Sequence, residues 1–95
     1  MKDALSNGHE RTLVIQNKRG LHARAAAKFV NAASEFDSQV TVSKENETVS
    51  GKSIMGLLML VAVQGSNIRI TALGKDAVEA VETLTELVDN KFDED

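Results

Sequence analysis

The chain reads as an α+β domain, an antiparallel sheet with helices packed on one side, in the order β-α-β-β-α-β-α. Two observations predict it. Short β-rich runs alternate apolar and polar residues with period two, as half-buried strands do. Between them lie longer runs whose apolar residues fall on one helical face or fill the segment entirely. Alternating strands need one covered face and amphipathic helices need something to cover, and stacking the helices on one face of the sheet meets both demands. Ninety-five residues are enough for one modest core.

The elements follow in order. Thr12–Gln16 (TLVIQ) is a short β-rich run bounded by Asn17-Lys18-Arg19-Gly20, which predicts the first strand. From about Ala23 to Glu35, Ala26, Phe29, Val30 and Ala33 recur at i, i+3, i+4 and i+7, the stripe of an amphipathic helix. Ala25, Ala26 and Ala27 are the best intrinsic helix formers and leave little bulk near its start. In Gln39–Ser43, Val40 and Val42 share one face and Thr41 and Ser43 the other; Lys44-Glu45-Asn46 then turns the chain into a second strand through Thr48 and Val49. Gly51-Lys52-Ser53 opens a helix from Ile54 to about Val63, closed by Gly65. Ile68, Ile70 and Ala72 alternate with Arg69 and Thr71 as another half-buried strand, ended by Gly74. Asp76 and Glu79 have capping-box spacing for a last helix, with Ala77, Val81, Leu84 and Val88 inward and Glu79, Glu82 and Glu86 in water.

Composition narrows the function. The chain has no cysteine, which excludes disulfides, thiol catalysis and the common structural zinc sites. Two histidines without a third ligand at metal spacing give no metal site, and no nucleotide-binding loop appears; no cofactor is expected. A net charge of −3 argues against nucleic acid as a general partner, and the three aromatics, Phe29, Phe36 and Phe92, form no stacking platform. The longest apolar run, Ile54–Val63, is too short to span a bilayer, and MKDALSNGHE lacks the apolar core of a secretory signal, so a cytoplasmic protein without membrane contact is expected.

Chemistry concentrates in GLHARAAAKF, residues 20–29. His22 stands where the first helix begins, in a stretch holding Lys18, Arg19, Arg24 and Lys28 and no acid, against the acidic balance of the whole chain. A helix start offers unpaired N–H groups and partial positive charge to an anion, and the Arg24 guanidinium adds planar, bidentate-capable donors. Surrounding positive charge favours the neutral imidazole, whose free nitrogen is a nucleophile. The site suits attack on a phosphoryl group and retention of it afterwards. The plain alternative is a histidine that caps a helix or lies exposed. His9, in the polar lead-in, receives no role.

GLHARAAAKFV resembles the active-site segment of the HPr family of phosphocarriers of the bacterial phosphotransferase system, and SGKSIMGLLML resembles that family's second signature. The two occur in the family's order and spacing, and the resemblance covers roughly residues 11–92 as one domain, leaving 1–10 as a polar lead-in and 93–95 as an acidic tail. The tail is closer in character to the nitrogen-branch relative NPr. One departure is Ala25, where the family usually has proline after the arginine.

The resemblance implies an open-faced β-sandwich, a four-stranded antiparallel sheet with three helices on one face. It implies a carrier without independent turnover: His22 takes a phosphoryl group, on Nδ1, from Enzyme I of the sugar or nitrogen branch and passes it to an EIIA-type protein. Arg24 would stabilise the phosphate. Ser53 would be a regulatory site for HPr kinase/phosphorylase, although serine before an apolar run is also simply a preferred helix N-cap. Ile54, Met55 and Leu58 would be exposed beside His22 for docking, leaving Leu57, Leu60 and Val61 for the core. A monomer is expected. The rivals are a non-catalytic regulatory binding domain of the same fold, a small nucleic-acid module, and a hydrolase, for which no nucleophile–base–orienter set is visible in the sequence.

Overall fold

The computed structural model describes residues 8–94. Its elements are β1 (Gly8–Val14), α1 (Ala23–Ala33), β2 (Gln39–Lys44), β3 (Glu47–Ser50), α2 (Ile54–Met59), β4 (Asn67–Leu73) and α3 (Ala77–Asp89), closed by a tight turn at Lys91–Asp93. The predicted order β-α-β-β-α-β-α and the predicted antiparallel sheet are both present. The strands lie in the order β1-β4-β2-β3. β4 is the centre, pairing antiparallel with β1 from Gly8↔Leu73 to Val14↔Asn67 and with β2 from Gln39↔Leu73 to Ser43↔Arg69. β3 closes the far edge as a hairpin on β2, turned at Glu45, whose φ is 54°.

Period-two alternation does what it predicts. Leu13, Val40, Val42, Ile68, Ile70 and Ala72 are buried beneath the helices, while Thr12, Arg69 and Leu73 lie on the open face. There Glu10 and Arg69 form an exposed ion pair at 3.8 Å, of small energetic weight. From α1 come Ala25, Ala26, Phe29 and Ala33, and from α3 Ala77, Val81, Leu84 and Val88, all buried. Phe92, just past α3, is fully enclosed.

Five expectations need correction. β1 begins at Gly8 and ends at Val14, so the strand reaches into the predicted lead-in, of which 1–7 lie outside the described residues. Ile15 still holds the sheet's edge region, its amide donating to Ser66 O and its carbonyl accepting from Gly65 N–H. The second helix stops at Met59 rather than continuing to Val63. Val61 adopts a left-handed φ of 49° and is 68% exposed, so it is not a core residue; Ala62 turns inward in its place. Leu58 is half-buried against the core rather than fully exposed, because it lies on the flank of a short helix between Leu57, inward, and Met59, outward. Asp76 makes no capping bond to α3. Its carboxylate instead accepts from the amides of Asp37 and Ser38, both at 2.9 Å, and from the Ser38 hydroxyl, tying the α1–β2 loop to the β4–α3 loop. These donors hold the Asp76 carboxyl below its ordinary value, the Ser38 hydroxyl contributing most.

Candidate functional site

The site is built where β1 hands over to α1. Gly20 has φ +67°, and a Cβ there would stand 2.6 Å from the Ala62 carbonyl, so this close backbone approach requires glycine. The same carbonyl accepts the Leu21 amide at 2.9 Å, seating the loop against the segment that follows α2. His22 comes next as the N-cap residue of α1, with extended backbone (φ −82°, ψ −179°) and its carbonyl accepting Ala26 N–H at 2.8 Å.

Its side chain does not cap the helix. No acid stands in the first turn, and the amides of Ala23, Arg24 and Ala25 make no hydrogen bond among the described residues. An open helix start of this kind attracts an anion through its N–H groups and dipole. Arg24, Lys18 and Arg19 are all exposed around it. Lys28 is used differently from the sequence expectation: its Nζ donates to the Phe92 carbonyl at 2.8 Å and so fastens the C-terminal turn to α1.

That turn carries the residue that sequence reasoning missed. Lys91, Phe92 and Asp93 have φ of 59°, 53° and 63°, three successive left-handed residues without a glycine. Each costs roughly 1–2 kcal/mol, offset by enclosure of the Phe92 ring, which is worth about 3–5 kcal/mol. The turn swings Glu94 back across the helix start. One carboxylate oxygen is hydrogen-bonded to His22 Nε2, and the other accepts from Asn17 Nδ2 at 2.9 Å. His22 and Glu94 side chains are only 16% and 18% exposed. The hydrogen bond from His22 holds the Glu94 carboxyl below its ordinary value, against desolvation that raises it; the Asn17 bond and the charges of His22 and Arg19 act in the same lowering direction.

Asn17 is fully buried and braces both partners. Its Nδ2 also donates to the Gly20 carbonyl at 2.7 Å, which keeps the Gly20 turn closed, while its Oδ1 is left without a partner. Sequence alone offered a weak signal for Glu94, a lone phenylalanine in an otherwise polar tail, and none for Asn17 beyond its place in a turn.

Ser53 is the N-cap of α2: its hydroxyl accepts Gly56 N–H at 3.0 Å. Ile54 and Met55 beside it are exposed, Met55 at 70%, and Met59 continues the apolar surface. The structure therefore keeps His22 and Arg24 on one helix start and Ser53, Ile54 and Met55 on another. No group of residues with metal-binding character occurs among those described, and no helix is long and apolar enough to cross a membrane.

Known proteins align with this chain over most of its length. The family model PTS-HPr, described as the PTS HPr component phosphorylation site, matches residues 9–90. The phosphocarrier protein HPr of Xylella fastidiosa is 46% identical over 86 residues, covering 90% of this chain and 97% of the relative. The phosphocarrier protein NPr of Shewanella violacea is likewise 46% identical over 85 residues, covering 90% and 93%. The crystal structure of HPr-C-His from Thermoanaerobacter tengcongensis superposes with a TM-score of 0.88 at 47% identity, covering 92% of this chain and 98% of that one. With an uncapped, cation-ringed helix start bearing the single histidine of the matched segment's GLHARAAAKF motif, and with this breadth of similarity, the chain belongs to the HPr family of phosphotransferase-system phosphocarriers.

Proposed function

We propose that this protein relays a phosphoryl group from Enzyme I to an EIIA-type acceptor, carried on Nδ1 of His22. The observation that carries the reading is the open start of α1, where three amides without partners among the described residues and an exposed Arg24 surround a histidine that does not cap its own helix. An anion delivered there meets fixed donors that need no rearrangement. Arg24 acts as the cationic stabiliser, through charge and fork geometry.

Ile54, Met55 and the half-buried Leu58 form the docking face, with the flexible methionines suited to more than one partner. Ser53 is the regulatory site for HPr kinase/phosphorylase. A phosphate there is tolerated by the helix start but sets charge at the edge of the docking face. The carrier is taken to work as a monomer in the cytoplasm; one copy supplies the histidine, its donors and its cations.

Intact-mass analysis after incubation with phosphoenolpyruvate and Enzyme I tests the reading. One acid-labile phosphate is expected on wild-type protein and none on His22→Ala. Arg24→Ala should transfer slowly at unchanged stability, with Arg24→Lys recovering part of the rate. Acid-labile phosphate retained on His22→Ala overturns the assignment.

A further inference from the structure

The two ring nitrogens of His22 are in different surroundings. Nε2 faces the Glu94 carboxylate, and Nδ1 has no hydrogen-bond partner among the described residues. A carboxylate only accepts, so the proton of the neutral ring belongs on Nε2, and the lone pair is left on Nδ1. The contact is largely shielded from water and is held from three sides. Phe92 is locked in the core, Lys28 grips the Phe92 carbonyl, and Asn17 fixes the second carboxylate oxygen.

We propose that Glu94 is a positioning residue for phosphoryl transfer, orienting the His22 ring and keeping its proton on Nε2 so that Nδ1 is the nucleophile. The proposal rests on the reading of His22 as the phosphoryl carrier. In the accepting step the Nδ1 lone pair forms the new N–P bond while the bond from phosphorus to the donor atom of phospho-Enzyme I breaks, its electron pair leaving with that atom. No proton has to leave the attacking atom, because it carries none. The Nε2 proton stays on the ring, and the Glu94 carboxylate that accepts its hydrogen bond partly offsets the positive charge of the phosphorylated ring. In the reverse sense, a ring kept protonated at Nε2 is the better leaving group for onward transfer. Asn17 serves the same end one step further out: its two donated bonds tie the turn before His22 to the carboxylate behind it.

The arrangement supplies the orienting member that sequence reasoning could not find. It comes from 72 residues away along the chain. It also explains why a tail is held in an unfavourable left-handed turn at the mouth of a site that otherwise attracts anions.

The test combines ring spectroscopy with kinetics on the full chain. Nitrogen-15 shifts of the His22 ring, measured where it is neutral, should report Nε2–H in the wild type and a raised Nδ1–H population in Glu94→Ala. Phosphate acceptance from Enzyme I by Glu94→Ala should fall about tenfold or more, by analogy with the outer hydrogen-bond partners of metal-bound histidines. Glu94→Gln, whose amide oxygen still accepts, should fall between the two. Wild-type tautomer and rate in Glu94→Ala overturn the proposal while leaving His22 as carrier. Faster acceptance by Glu94→Ala also overturns it, because the carboxylate would then be an obstruction. If wild-type protein takes no phosphate at all, the carrier reading fails and the proposal falls with it.

Discussion

The helices α1 and α2 begin in opposite ways. Ser53 closes the start of α2 on itself, its hydroxyl reaching Gly56 N–H three residues on. His22 leaves the start of α1 open, and the group that approaches it is a carboxylate from the far end of the chain. A local cap satisfies the backbone and leaves an anion little to gain. An open start keeps donors in reserve. The proposed carrier histidine thus sits at the start that forgoes its local cap, and the proposed regulatory serine at the one that has it.

Swapping the two conditions gives the largest expected effect. His22→Ser puts a capping hydroxyl on α1, so histidine phosphorylation should vanish while the fold gains about 1 kcal/mol, the usual worth of a cap. Thermal melting alongside intact mass reads both; a loss of stability would show that the start is not waiting for a cap. Next in size is a charge at the other helix. Ser53→Asp should slow phosphate acceptance at His22 about tenfold, equivalent to about 1.4 kcal/mol, with the melting temperature nearly unchanged. Acceptance at the wild-type rate would mean that Ser53 is a cap only.

A smaller effect separates the hydroxyl's two roles. Ser53→Ala should cost about 1 kcal/mol in urea unfolding and leave transfer from Enzyme I close to wild type. The smallest effect concerns the acid that caps no helix. Asp76 is held below its ordinary value, so its contribution is present above that value and is lost as pH falls through the lowered one. Asp76→Asn should therefore be less stable at neutral pH, with the gap to wild type closing in strong acid. A gap that stays constant through the acid range would remove the carboxylate from the account.

Legibility followed the range of the interactions. The period-two and helical stripes lie within single segments, and Val40, Val42, Ile68, Ile70, Phe29 and Leu84 are inside as their spacing requires. His22 and its cations were visible for the same reason, being consecutive in the chain. Val61 departs from its helical spacing because a single left-handed residue resets which way the following side chains point, and a β-branched residue gives no warning of that conformation. Asp76 was misread because capping-box spacing says nothing of competing donors; the amides of Asp37 and Ser38 reach it first. Glu94 is only faintly legible and Asn17 not at all, because their meeting depends on the complete fold, with the buried Phe92 as pivot.

One backbone contact carries a consequence beyond architecture. Leu21 N–H donates to Ala62 O, joining the segment that ends at His22 to the segment that leaves α2. If a partner docks on α2 as proposed, the Leu21–Ala62 hydrogen bond is the backbone link through which that contact would reach the segment bearing His22. The Leu21 amide becomes an internal gauge. Its hydrogen-exchange rate should register an arriving partner even when no phosphate moves, which would let recognition be timed separately from chemistry in a single residue's signal.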